Sequence, residues 1–63
     1  MKFFEVTTMF FDNGAVSAAI TDRIEAARRP KMKMHSGARC DVYRDYFPSL
    51  KEARAFIAEA AEA

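Results

Sequence analysis

The chain has 63 residues and a formal net charge of +1, and 51% of its residues are hydrophobic while 30% are charged. This length fits one domain, and this balance of hydrophobic and charged residues excludes wholesale disorder. We therefore expect a single small domain over residues 1–63. Association with a partner is one common way for so small a core to gain stability.

Cys40 is the only cysteine, so no disulfide can form within the chain. A single free thiol fits a reducing, cytoplasmic setting. The first residues lack the basic region and long apolar run of a signal peptide. No stretch approaches the roughly 20 apolar residues that a membrane-spanning helix needs. We expect a cytoplasmic protein without a membrane partner.

Residues 2–11 predict a first strand, because they are rich in aromatic and β-branched types. Alternate side chains of a strand point to opposite faces of a sheet. One face would carry Phe4, Val6 and Phe10, and the other would carry Phe3, Met9 and Phe11. A chain of this length can cover only one face. The second face is therefore predicted to meet water, a second copy or a partner.

The turn Asp12-Asn13-Gly14 predicts a hairpin, since an Asn-Gly pair between two apolar runs is a strong hairpin signal. Residues 15–27 are compatible with two structures. Val16, Ile20 and Ile24 share the parity of a strand, yet they also recur with helical spacing among good helix formers. The Asn-Gly turn favours the strand, whereas a helix would give the order β-α-β-α.

A three-residue loop with Gly14 in the left-handed conformation gives the register that we favour. It pairs Phe10 with Val16, Thr8 with Ala18 and Val6 with Ile20, and it directs Phe4, Val6, Phe10, Val16, Ala18 and Ile20 into the core. A two-residue turn would place Glu5 opposite Asp22, a like-charge pair that is mildly destabilising. In the favoured register Glu5 lies near Arg23 on the other face.

Residues 28–37 form a long connection that a proline and a glycine interrupt. Its charge keeps it at the surface, so we expect an exposed basic loop. Residues 39–46 predict a third strand, with Cys40 and Val42 directed toward the core. The opposite, open face of this strand would carry Asp41, Tyr43 and Asp45.

Ser49 and Glu52 form an S-x-x-E capping box, which predicts the start of a C-terminal helix. Apolar residues with helical spacing make one stripe along it: Leu50, Ala53, Phe56, Ile57 and Ala60. The predicted fold is α+β. A three-stranded antiparallel sheet, made of a β-hairpin and a third strand, packs on one C-terminal helix (βββα).

Basic residues are concentrated in one part of the chain. Residues 23–39 hold six of the ten Lys and Arg residues against a single acidic residue, Glu25. Such cations can neutralise phosphates, and an open sheet face with aromatic side chains can stack bases. The predicted nucleic-acid contacts are Arg23, Arg28, Arg29, Lys31, Lys33, Arg39 and Tyr43.

The sequence holds no pattern typical of an enzyme or of a metal site. His35 lies in the basic loop with no carboxylate or cysteine at ligand spacing. Cys40 would need a neighbouring base to act as a nucleophile, and no glycine-rich phosphate loop is present. We expect a non-enzymatic protein without a metal or other cofactor.

The segment from Tyr46 to Phe56 reads Tyr-Phe-Pro-Ser-Leu-Lys-Glu-Ala-Arg-Ala-Phe. It resembles the passage "aromatic, x, Ser/Thr, x, x, Glu-Ala" of arm-type DNA-binding domains, which lie at the N-termini of phage and transposon integrases. In that family a three-stranded sheet, backed by one helix, sets its open face in the DNA major groove. The resemblance implies DNA binding through the sheet, with Arg23 and Tyr43 near the contact positions.

We therefore expect a small binding module with accessory nucleic-acid binding through the basic loop and the open sheet face. The alternative is a homodimeric or protein-partner-binding regulator of mobile-element origin. In that alternative Phe3, Met9 and Phe11 are buried between chains, since exposed apolar patches are typical of association.

Overall fold

The computed structural model describes residues 1–62, which form an antiparallel sheet and one helix. The strands are β1 (Lys2–Phe11), β2 (Val16–Glu25), β3 (Lys33–Ser36) and β4 (Cys40–Phe47), and the helix is α1 (Leu50–Glu62). The order across the sheet is β2-β1-β4-β3, and α1 packs on one face. The prediction of an α+β fold with a C-terminal helix is confirmed, but the sheet has four strands rather than three.

The β1–β2 hairpin has the predicted register. Phe10 lies opposite Val16, and Gly14 in the loop Asp12-Asn13-Gly14 has a φ of 89°. The Gly14 N–H donates to the Phe11 carbonyl at 2.9 Å, and the Phe11 N–H donates to the Ala15 carbonyl at 2.9 Å. Positive φ is strained for residues that carry a Cβ, so glycine suits this turn. The ambiguous segment is therefore a strand.

A β-bulge interrupts this hairpin halfway along. Glu5 lies opposite Asp22 and Val6 opposite Ile20, so Thr21 is the extra residue on β2. Beyond the bulge Arg23 pairs with Phe4, and its guanidinium carbon lies 5.8 Å from the centre of the Phe4 ring. The prediction that Arg23 lies near Glu5 on the open face is wrong, because the extra residue turns Arg23 to the other face.

The predicted basic loop contains the fourth strand. Lys33–Ser36 pairs antiparallel with the outer edge of β4, and all four of its residues are exposed. The segment is at the surface as predicted, but it is not a loop throughout. Charged and apolar side chains alternate from Lys31 to Met34, but this run is only four residues long and lies between Pro30 and Gly37, which are typical of a loop.

The side chains of β4 point the opposite way from the prediction. We call the face of the sheet under α1 the helix side and the other face the open side. Tyr43 lies opposite Thr8 on the helix side, and its ring meets the Phe10 ring edge to face at 5.6 Å. Asp41 and Asp45 share that side, whereas Cys40 and Val42 lie on the open side by alternation.

The Ser49 cap and the apolar stripe of α1 are confirmed. The Glu52 N–H donates to Ser49 Oγ at 3.2 Å, and that hydroxyl donates to the Glu52 carboxylate at 3.3 Å. Ala53 is fully buried, and the Phe56 ring packs on the Phe47 ring with centres 5.0 Å apart. The local signal at the start of the helix is thus sufficient to place it.

The helix lies mainly over β2 and β1 and covers β4 less. Phe10, predicted to be in the core, is consequently 40% exposed on the helix side. Phe3, predicted to be on an open surface, is only 2% exposed. The connection 26–32 joins β2 and β3, which lie at opposite edges of the sheet. It therefore passes the ends of β1 and β4, and Phe3 lies at this end of the sheet.

Candidate functional site

Four basic residues lie along the β3–β4 hairpin, and together they form what we call the basic edge. Lys31 precedes β3, Lys33 begins it, Arg39 lies in the turn before β4, and Arg44 lies within β4. Lys33 and Arg44 are directly opposite each other on the open side. Like charges at such a position are destabilising in an isolated sheet.

Glu5 is the carboxylate that faces this pair of cations. Its Oε1 accepts a hydrogen bond from the Thr21 hydroxyl at 2.6 Å, and its Oε2 accepts one from the Tyr46 hydroxyl at 3.0 Å. The Thr21 hydrogen bond is the largest cause that lowers the pKa of Glu5, and the Tyr46 hydrogen bond and the charges of Arg44 and Lys33 lower it further. Burial opposes the shift without reversing it.

The structure separates the basic residues that were predicted to act together. Lys31, Lys33 and Arg39 belong to the basic edge, whereas Arg23, Arg29 and Tyr43 lie on the helix side and Arg28 is exposed in the connection before β3. The Arg29 guanidinium lies 5.2 Å from the centre of the Phe47 ring. Arg44 was not among the predicted contacts. Its alternation with Val42 places both residues on one face of β4, but the sequence does not show that this face is the open side.

Within the described residues, the open side keeps only one partly exposed aromatic side chain for bases, Phe11. Phe3 is buried, Tyr46 is 3% exposed, and Tyr43 faces the other way. Lys33 Nζ lies 5.8 Å from the centre of the Tyr46 ring, so this cation covers the ring. Within the described part of the sheet, the predicted base-stacking surface is therefore reduced to Phe11.

The predicted dimer surface is also reduced. Burial of Phe3 within the chain removes it from any interface, and Met9 and Phe11 are only half-exposed. The exposed large apolar side chains of the sheet face the other way: Phe10 lies on the helix side, and Met34, opposite Tyr43, shares that side. A homodimer through Met9 and Phe11 stays a prediction.

A second candidate surface is a cleft of about 450 Å³, which we call the helix-side groove. It lies between the sheet and the C-terminal half of α1, where the helix leaves β4 uncovered. Its lining residues are Thr8, Phe10, Met32, Tyr43, Asp45, Phe56, Glu59 and Ala60. Burial raises the pKa of Asp45, and the charge of Arg29 opposes that shift.

Comparisons with family models, with curated proteins and with solved structures give no match to this chain. Within residues 1–62 no three His, Cys, Asp or Glu side chains are grouped so that they could hold a metal ion. The helix in the same range is too short and too polar to cross a membrane. Geometry and charge are thus the basis for the functional proposal.

Proposed function

We propose that the protein is a small non-enzymatic module that binds double-stranded nucleic acid through its phosphates, with the basic edge as the contact. The observation that carries this proposal is the pairing of Lys33 with Arg44. A directly opposed pair of cations is unfavourable by itself. An anionic partner attracts both cations and so offsets their mutual repulsion, and binding releases counterions from its phosphates.

The dimensions of the basic edge suit a phosphate backbone. Arg39, in the turn before β4, and Arg44 are five residues apart, which corresponds to at most about 17 Å along the chain. That length spans about five base pairs at a rise of 3.4 Å per pair. Lys33 lies beside Arg44, so the contact presents cations over a length that several successive phosphates can meet.

The burial of Phe3 and Tyr46 on the open side argues for binding that does not depend on sequence. Phosphate contacts carry no sequence information, and base contacts require side chains that reach base edges.

The width of the sheet also argues against insertion into the DNA major groove. Four strands span about 14 Å between the outer strand axes, whereas the DNA major groove is about 12 Å wide. We therefore propose contact with the backbone rather than insertion of the sheet face.

The salt dependence of binding tests this proposal. Four cations that each neutralise one phosphate give a slope of log Kobs against log salt of about −3.6. In Lys33→Ala/Arg44→Ala we expect this slope to lose about 1.8 of its magnitude. The measurement is fluorescence anisotropy with a labelled mixed-sequence duplex between about 50 and 200 mM salt.

The matched control is Lys51→Ala/Arg54→Ala, which removes two exposed cations from α1 and leaves the basic edge unchanged. The control should keep the wild-type slope. Equal slopes for the two double variants would show that net charge alone, and not the basic edge, drives binding. A second duplex of unrelated sequence should bind with the same affinity.

A further inference from the structure

The helix-side groove lies on the other side of the sheet from the Lys33–Arg44 pair and is therefore separate from the proposed phosphate contact. Its walls are largely apolar: Phe10 and Tyr43 come from the sheet, Phe56 from α1, and Met32 from the connection before β3. The two sheet aromatics meet edge to face at 87°. A cleft of about 450 Å³ is within the size range of small-molecule sites.

A buried hydroxyl in this groove has no partner. Thr8 is 2% exposed, and its Oγ1 makes no hydrogen bond to any other group within residues 1–62. Buried polar atoms in folded proteins are nearly always satisfied, so an exception calls for a functional explanation. Rotation of the Thr8 side chain about χ1 would turn this oxygen toward the groove that Thr8 lines, where a ligand that donates a hydrogen bond would satisfy it.

Two carboxylates add negative charge to the same groove. Asp45 is half-buried and lies diagonally across from Thr8, which is two residues along β1 from Val6, the cross-strand partner of Asp45. Glu59 lies at the exposed rim on α1. Within the described residues no basic group forms an ion pair with Asp45, and Arg29 acts on this carboxylate only from beyond ion-pair distance. A desolvated carboxylate without a close counterion favours a cationic ligand.

We propose that the helix-side groove binds a small organic amine as its ammonium ion. The ammonium group donates hydrogen bonds to the Thr8 hydroxyl oxygen and the Asp45 carboxylate. The hydrocarbon part packs against Phe10, Tyr43 and Phe56, and aromatic rings attract a nearby cation through their faces. Such a ligand complements both the negative charge and the apolar walls of the groove.

Charge complementarity also decides against a second copy of the chain as the occupant. A two-fold interface brings the same patch of both protomers together. Groove against groove would then bring Asp45 and Glu59 of one protomer toward the same carboxylates of its partner. That arrangement is repulsive, whereas an ammonium ion removes the repulsion.

An amide NMR titration with phenethylammonium tests the proposal, with 2-phenylethanol as the uncharged probe of similar shape. We expect saturable shifts at Thr8, Tyr43, Asp45 and Glu59 with phenethylammonium and far weaker binding of the alcohol. Equal affinity for the two probes, or no saturable shifts at these residues, would overturn the proposal. Shifts of the same residues upon protein dilution without a probe would show that a second copy fills the groove.

Two variants separate the local contact from overall charge. Asp45→Asn should weaken phenethylammonium binding about tenfold or more, because a hydrogen bond to a charged group is lost. Asp41→Asn removes the same charge four residues away on the same strand, about 13 Å along it, and should leave affinity nearly unchanged. Equal losses in the two variants would mean general electrostatic attraction rather than a site.

A third variant tests the hydroxyl. Thr8→Val keeps the shape of the side chain and removes its hydrogen-bond acceptor, so we expect binding of phenethylammonium to weaken about threefold to tenfold while binding of 2-phenylethanol changes less. Well-dispersed amide spectra of each variant show that it is folded. Unchanged ammonium affinity in folded Thr8→Val would contradict the role given to Thr8.

Discussion

Replacing Glu5 with glutamine tests what the Glu5 carboxylate contributes to the stability of the fold and to the binding of duplex. Glu5 accepts hydrogen bonds from Thr21 at 2.6 Å and from Tyr46 at 3.0 Å, and it faces Lys33 and Arg44. Glutamine keeps the size of the side chain and one acceptor oxygen, but it removes the charge. The substitution therefore weakens both hydrogen bonds and leaves the two cations without a nearby carboxylate.

The size of the effect follows from these contacts. A hydrogen bond to a charged group contributes about 1.5–3 kcal/mol, against about 0.5–1.5 kcal/mol for a neutral one. Glu5 is only half-buried, so water replaces part of the loss. We expect Glu5→Gln to lower the free energy of unfolding by about 1 kcal/mol at pH 7.

The pKa of Glu5 sets how this difference depends on pH. The folded state lowers that pKa below its ordinary value of 4.5, with the Thr21 hydrogen bond as the largest cause. The stabilisation is therefore complete above the unfolded value and is lost as pH falls through the folded value. We expect the free energies of unfolding of wild type and Glu5→Gln to converge in acid.

Urea unfolding followed by far-ultraviolet circular dichroism, at a series of pH values from neutral to acid, measures this difference. Asp41→Asn is the control, because Asp41 is exposed and its carboxylate makes no hydrogen bond within residues 1–62. A Glu5→Gln difference that stays constant with pH would refute the reasoning. The same variant should bind duplex about two- to fivefold more tightly at low salt, because a negative charge beside Lys33 and Arg44 is gone.

Three further substitutions test the fold by urea unfolding. Thr8→Val should raise the free energy of unfolding by about 1 kcal/mol, because it removes a buried hydroxyl without a partner; a clear loss of stability would show that the hydroxyl is satisfied in solution. Gly14→Ala should lower it by about 1–2 kcal/mol, since φ is 89° at this position and no atom outside the turn would contact the added methyl group; an unchanged midpoint would mean that the loop relaxes without strain. Ser49→Ala should lower it by about 1 kcal/mol, because the Glu52 N–H loses its cap; Ser49→Asp, which also caps, should retain wild-type stability.

Several features of the fold were predictable because adjacent residues encode them. The Asn-Gly pair determines the loop of the β1–β2 hairpin, and the left-handed Gly14 sets the pairing of Phe10 with Val16. The capping box of Ser49 and Glu52 likewise places the start of α1. These signals act over three or four residues, so they do not depend on the rest of the chain.

The orientation of β4 was not predictable in this way. Each of its faces alternates apolar with charged residues, since Val42 and Tyr46 lie beside Arg44 on one face, and Tyr43 and Phe47 flank Asp45 on the other. A one-residue change of register exchanges the two faces. The pairing of β4 with β1 therefore decided which residues face the helix, and with them the members of both candidate surfaces.

The sequence by itself determined the α+β class, the first hairpin and the capped helix. Only the tertiary structure decided that Lys33–Ser36 is a strand, because β4 offers unpaired backbone groups at its outer edge and the segment has no buried face of its own. It likewise decided that α1 lies over β2 and β1 and leaves Phe10 exposed. Basic residues near each other in sequence were divided between the two sides of the sheet, because strand pairing and the bulge, rather than composition, set the direction of each side chain.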